Sequence, residues 1–258
     1  MLAGCPLLSK KTSDPDHCDQ SNHTPNKAYI KHLIYTLDAY TTPSGQRMTT
    51  RWSKIPIPVY LPPLHHNPKF KKDIEQTLTE IENKTGIQLF KFVKIPSEIT
   101  SQNPGIIFSY GTAFGAEKKD DKWVFPTLYQ EQSFSNISEA PGEGNWTQHA
   151  INKQTGEITK TAYINLGVVG EGYDSLASEK SGKPKINIDT LSTLERYPTK
   201  LREVVIREIA LALDLTYYPD TKGYDPKGCL TPPDLFYVIK AIYSSSPGTP
   251  VEQLKYDF

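Results

Sequence analysis

Apolar positions recur at helical spacing in two stretches of the chain. Over residues 201–217, Leu201, Val204, Val205, Ile209, Ala212 and Leu213 fall three or four apart in a way that buries one helix face. Pro198 before the stretch and Pro219 after it bracket the element, and no glycine or proline interrupts it. Over 70–84, Phe70, Ile74, Leu78 and Ile81 share a face and charged residues fill the other, while Thr85-Gly86 predicts a left-handed stop. A third helix is predicted over 230–243 from its start signals. There Thr231 caps, Pro232 and Pro233 occupy the first turn, and Asp234 complements the helix dipole. Strands are expected over 51–61, 87–93, 105–110 and 161–169; Pro56 and Pro58 put the first at a sheet edge or at a strand start. Residues 29–40 fit a strand or a short helix, 41–46 read as a turn, and 61–68 as a loop. Residues 111–160 lack a clear period. The balanced charges over 117–122 predict a solvated loop tip. Trp123, Phe125, Tyr129, Phe134 and Trp146 either pack that loop down, the favoured reading, or form a binding surface.

Composition narrows the function classes. With 258 residues and 37% hydrophobic content, the chain can bury one sizeable core or two small ones. Lys plus Arg equal Asp plus Glu at 29 each, so no global charge draws it to nucleic acid or to anionic lipid. No apolar run reaches the roughly 20 residues that span a bilayer, and no internal repeat is visible.

The 201–217 helix also carries the candidate chemistry. It resembles the active-site helix of zincin metallopeptidases of the matrixin and astacin type, with signature H-E-x-x-H-x-x-G-x-x-H. In that frame the first zinc histidine falls on Arg207, the catalytic glutamate on Glu208 and the second histidine on Leu211. The helix-ending glycine falls on Asp214 and the third histidine on Tyr217. A zinc site needs lone-pair donors; Arg207 is a permanent cation without an acceptor, Leu211 has no polar atom, and Tyr217 is a weak ligand at best. Glu208 survives, but without zinc its water stays near a pKa of ~15.7 and is no nucleophile. Aspartate enters the left-handed conformation more readily than most residues, so Asp214 can stand in for the glycine. An ion pair of Arg207 with Glu203, four residues earlier, is expected on the exposed side. Neither catalysis nor a metal or other cofactor is expected.

The resemblance covers residues 51–243. It implies an α+β zincin-like fold: a mixed twisted sheet, a long former active-site helix and a C-terminal helix. It makes 161–169 the edge strand lining a substrate cleft, where active members pair an extended peptide by β-augmentation. The methionine turn has no counterpart, since Met1 and Met48 are the only methionines. Other motifs are weak. Adjacent His65 and His66 point apart, which disfavours a shared metal; His32 reads as a surface residue, His149 is isolated, and Gly142-x-Gly144 has no strand before it or helix after it.

The N-terminus reads as a bacterial lipobox, Leu2-Ala3-Gly4-Cys5, or as a chance tetrapeptide. The lipobox reading makes Cys5 the acylated residue, 1–27 a lipid-anchored polar tether, 28–50 an N-terminal extension and 244–258 an exposed tail. It places the chain at the periplasmic face of an outer membrane. Lipidation of Cys5 leaves Cys18 and Cys229, which are either two free thiols or a bridge closing roughly 210 residues, worth at most about 5 kcal/mol.

Three functions follow. The first is a non-catalytic structural or docking element of an envelope assembly, contacting other envelope proteins and lipid through Cys5, by analogy with accessory lipoproteins of type IV secretion core complexes. The second is a peptide- or glycan-binding module using the surviving cleft. The third is a hydrolase with other residues, for which no G-x-S-x-G, P-loop or Cys-His signature speaks; carboxylates such as Glu171, Asp174 and Asp189 are too common to count.

Overall fold

The computed structural model describes residues 30, 40–110, 117–119, 122–124, 146–148, 151–152, 154–166, 191–215 and 234–255. Strands β1 (Tyr40–Thr41) and β2 (Arg47–Met48) pair antiparallel. The strand predicted over 51–61 divides into β3 (Arg51–Trp52) and β4 (Ile57–Tyr60), which belong to different sheets. Helix α1 (Pro68–Thr85), β5 (Phe90–Val93) and β6 (Ile106–Tyr110) follow. The charged stretch read as a loop tip is instead an antiparallel pair, β7 (Glu117–Lys119) and β8 (Lys122–Val124). Then come β9 (Trp146–Gln148), β10 (Ile151–Asn152), β11 (Glu157–Ile158) and β12 (Ala162–Leu166). Helices α2 (Leu191–Arg196), α3 (Pro198–Ala212) and α4 (Leu235–Tyr243) complete the set.

The architecture is mixed, with parallel strand pairs and helices, compatible with the α+β class. Its main sheet has the order β5-β4-β6-β12-β9; every neighbouring pair is parallel except β12–β9. β4 is therefore an inner strand. Pro58 is tolerated there because β4 meets β6 only from Val59 onward, so its missing N–H removes no ladder bond. Gly105, just before β6, lies so close that a Cβ would stand 2.3 Å from the Pro58 carbonyl oxygen. β12 is also an inner strand, against the expectation of an edge over 161–169. Among the described residues the edge on that side is β9, which lies in the segment that showed no period.

Strand alternation sorts the side chains. Ile57, Val59, Ile106, Phe108, Ala162, Ile164 and Leu166 join the main core with α1, α3 and α4. Ile107 and Tyr163 point the other way, into a smaller cluster with Ile99, Tyr60 and Val93. On the same side Ser109 Oγ donates to Asn165 Oδ1 at 2.9 Å.

Helix α1 buries the expected Phe70, Ile74, Leu78 and Ile81. It starts before residue 70 because Asn67 Oδ1 accepts from Phe70 N at 3.3 Å and Pro68 is already fixed in helical φ. Gly86, at φ 71°, ends it. Helix α3 includes Pro198 at its first turn and stops at Ala212, short of Tyr217. Helix α4 begins at Leu235 with Asp234 at its N-cap; Thr231, Pro232 and Pro233 lie outside the described residues.

Helices α1, α3 and α4 are joined through Glu80. Arg202 of α3 donates to both of its oxygens at 2.6 Å, and Lys84 Nζ stands 3.0 Å from Oε1 and over the Phe236 ring of α4. Burial alone would raise the Glu80 pKa, but the hydrogen bonds and charges of Arg202 and Lys84 outweigh it and hold the carboxyl below its ordinary value. A lowered folded-state pKa contributes stability above the unfolded pKa and loses it as pH falls through the folded one. Glu80→Gln should thus cost about 1–2 kcal/mol near neutral pH, a bidentate charge-assisted pair discounted for its partial exposure. Unfolding curves of the two proteins should converge as pH drops below the ordinary glutamate range.

The tail is not exposed throughout, contrary to the sequence reading. Val251 and Leu254 are buried at 3% and 6% exposure. Thr49 N donates to Thr249 O at 2.9 Å, Gly248 N donates to Thr49 O at 3.1 Å, and Met48 bridges to Pro250. The tail thereby seals the end of the N-terminal extension onto the domain.

Candidate functional site on helix α3

The C-terminal half of α3 holds three of the five positions that the zincin frame singles out, Arg207, Glu208 and Leu211. Glu208 is 1% exposed and accepts a hydrogen bond from Arg207 Nε at 3.0 Å. The Arg207–Glu203 pair is expected on an exposed face, but Glu203 is buried, and the arginine also reaches its sequence neighbour Glu208. A guanidinium thus stands against the carboxylate where the frame would put an imidazole beside a water-activating base. Leu211 is half-buried and adds no donor. Tyr217 lies outside the described residues, as do Cys5, Cys18, Cys229, His32, His149, Glu171, Asp174 and Asp189. Among the described residues no group of three or more His, Cys, Asp and Glu is placed to hold a metal ion.

The helix end is built as the sequence suggested and then anchored in a way it did not. Asp214 has φ 62°. Its N–H donates to Leu211 O at 2.9 Å and Leu215 N donates to Ala210 O at 2.8 Å, the paired bonds of a Schellman cap. The Asp214 carboxylate, buried with its residue, accepts from Thr50 Oγ1, and Trp52 Nε1 donates to Ala212 O at 2.9 Å. Between them Arg51 donates to Tyr243 O at 2.9 Å and to Ser245 O, with its guanidinium 4.8 Å from the centre of the Tyr243 ring. Its charge therefore faces the carbonyl end of α4, where the helix dipole favours a cation. Residues 50–52 lock the ends of α3 and α4 together. No motif marks them, because their partners lie 160 to 194 positions away.

The histidine pair separates. His66 Nε2 stands 2.8 Å from Glu195 Oε1, which also accepts from Asn67 Nδ2 at 3.1 Å, so the α1 cap is tied to α2; His65 is exposed. At the end of β6 the Tyr110 hydroxyl is buried without a hydrogen-bond partner, its ring edge-on to Phe70, and burial pushes its pKa up.

Edge strand β9 packs beside α3, so a sheet edge and the Arg207–Glu208 helix belong to one region of the fold. No described helix is long and apolar enough to cross a membrane. No family model, curated protein or solved structure matches the chain.

Proposed function

We propose that this chain is a non-catalytic zincin-like domain carried on a lipoprotein, a structural or interaction component of a cell-envelope assembly such as the outer-membrane core complex of a type IV secretion system. The observation that carries the non-catalytic part is the Arg207–Glu208 contact at 3.0 Å: the one carboxylate left from the motif is committed to a permanent cation. A mixed sheet, the long helix α3 and the closing helix α4 are what the zincin resemblance leads one to expect and support the fold part, although the edge strand is β9 and not the expected 161–169. The lipobox at Cys5 supports the anchor and the outer-membrane location.

Affinity recovery of the chain from detergent-solubilised envelope, expressed behind an upstream signal region, tests the assembly role. Envelope proteins in fixed stoichiometry are the expected result, unchanged by Glu208→Gln, which keeps the shape of the side chain. Recovery of the chain alone would contradict it. Edge strand β9 favours one second reading, a module that binds extended peptides or glycans in the cleft; tight binding of short peptides by the isolated chain would favour it over the first.

A further inference from the structure

At the other edge of the main sheet, β5 runs into a turn with the sequence Phe90-Lys-Phe-Val-Lys-Ile95. Phe92 is 43% exposed and Ile95 54%, two of the four exposed large apolar side chains among the described residues. A bare strand edge invites another strand, but this one is occupied at both ends of β5. Phe90 N donates to Glu82 Oε1 at 2.8 Å, and Lys94 N and Ile95 N donate to Glu98 Oε1 at 2.9 and 3.2 Å. The backbone N–H groups on either side of Phe92 are thus already taken, which hinders a further strand. Both carboxylates are turned onto the backbone. The ammonium groups of Lys91 and Lys94 are exposed, and among the described residues neither pairs with a carboxylate, unlike Lys69, Lys71 and Lys84 of α1.

We propose that residues 91–95 form a contact site for an anionic lipid surface, with Phe92 and Ile95 entering the headgroup layer and Lys91 and Lys94 meeting its phosphates. Apolar tips between unpaired, flexible cations suit a bilayer interface, since long lysine stems let the charge stay in the headgroups while the tips go deeper. A protein partner would need a broad complementary face with a buried central anchor. Here two side chains project from an edge that has backbone N–H groups on either side of Phe92 already bonded to carboxylates. The site would orient the domain on the membrane independently of acylation, so it goes beyond the envelope-assembly reading and stands or falls apart from it.

Flotation of the full chain carrying Cys5→Ser, so that no acyl group contributes, tests this with phosphatidylcholine vesicles lacking or containing phosphatidylglycerol. Binding to the anionic vesicles and not to the neutral ones is expected. The double change K91Q/K94Q should weaken it about thirtyfold, at roughly fivefold per lysine. F92S/I95S should weaken it at unchanged charge, and Lys69→Gln should leave it as it is. Both altered sites are exposed, and unchanged thermal unfolding would confirm that the fold is kept. Failure of the parent to float, or equal flotation of all variants, would overturn the proposal. So would envelope proteins that co-purify with the parent and are lost with F92S/I95S while no vesicle binding is seen.

Discussion

Arg51→Ala is expected to lower the unfolding free energy by about 3–5 kcal/mol. Arg51 is 7% exposed, and its guanidinium satisfies the carbonyls of Trp52, Tyr243 and Ser245 while lying on the Tyr243 ring. Alanine strands the acceptors at the end of α4, each costing about 1–3 kcal/mol if it stays dry, and removes a cation–π contact of about 0.5–2 kcal/mol. Against a total of about 5–15 kcal/mol for a domain, that is a large share. Chemical denaturation should show an earlier midpoint with an unchanged slope. A loss below about 1 kcal/mol would mean that α3 and α4 are held together by apolar packing alone.

Gly156→Ala is the second large effect. Gly156 has φ 71°, where a side chain costs about 1–2 kcal/mol, and an added Cβ would stand 2.5 Å from Thr49 O and 2.7 Å from Gly248 N. These neighbours are backbone, so no flexible side chain can yield. The substitution must push apart the extension, β11 and the tail, at a cost of about 3–4 kcal/mol in all, with strain and overpacking combined. Hydrogen exchange at Thr49 and Gly248, whose N–H groups close the junction, should accelerate together. Stability within a few tenths of a kcal/mol of the parent would show that the three segments do not meet as tightly as described.

The helices were legible because their signals are local. The apolar stripe of α1 and its Gly86 stop lie within a few turns of each other, and Asp214 takes the left-handed position that the sequence suggested. Boundaries failed where a side chain acts as a cap: Asn67 sits behind a histidine pair that drew attention to metal chemistry, and Pro198 is inside its helix rather than before it. Strand positions failed for a different reason. Whether β4 or β12 is an edge depends on which distant segment lies alongside, and β9 comes from a stretch without periodicity. At the candidate site the identities of Arg207, Glu208 and Leu211 were readable, but their arrangement was not. Helical spacing favoured Glu203 as the partner of Arg207, and the burial of Glu203 follows only from the packing of the whole fold.

The most direct test of the central claim is the zinc content of the purified full chain after incubation with zinc and exhaustive removal of loosely held metal. A domain whose ligand positions are Arg207, Leu211 and Tyr217 should hold none, and Tyr217→Phe should change nothing. One tightly held zinc per chain, lost on that substitution, would contradict the non-catalytic account.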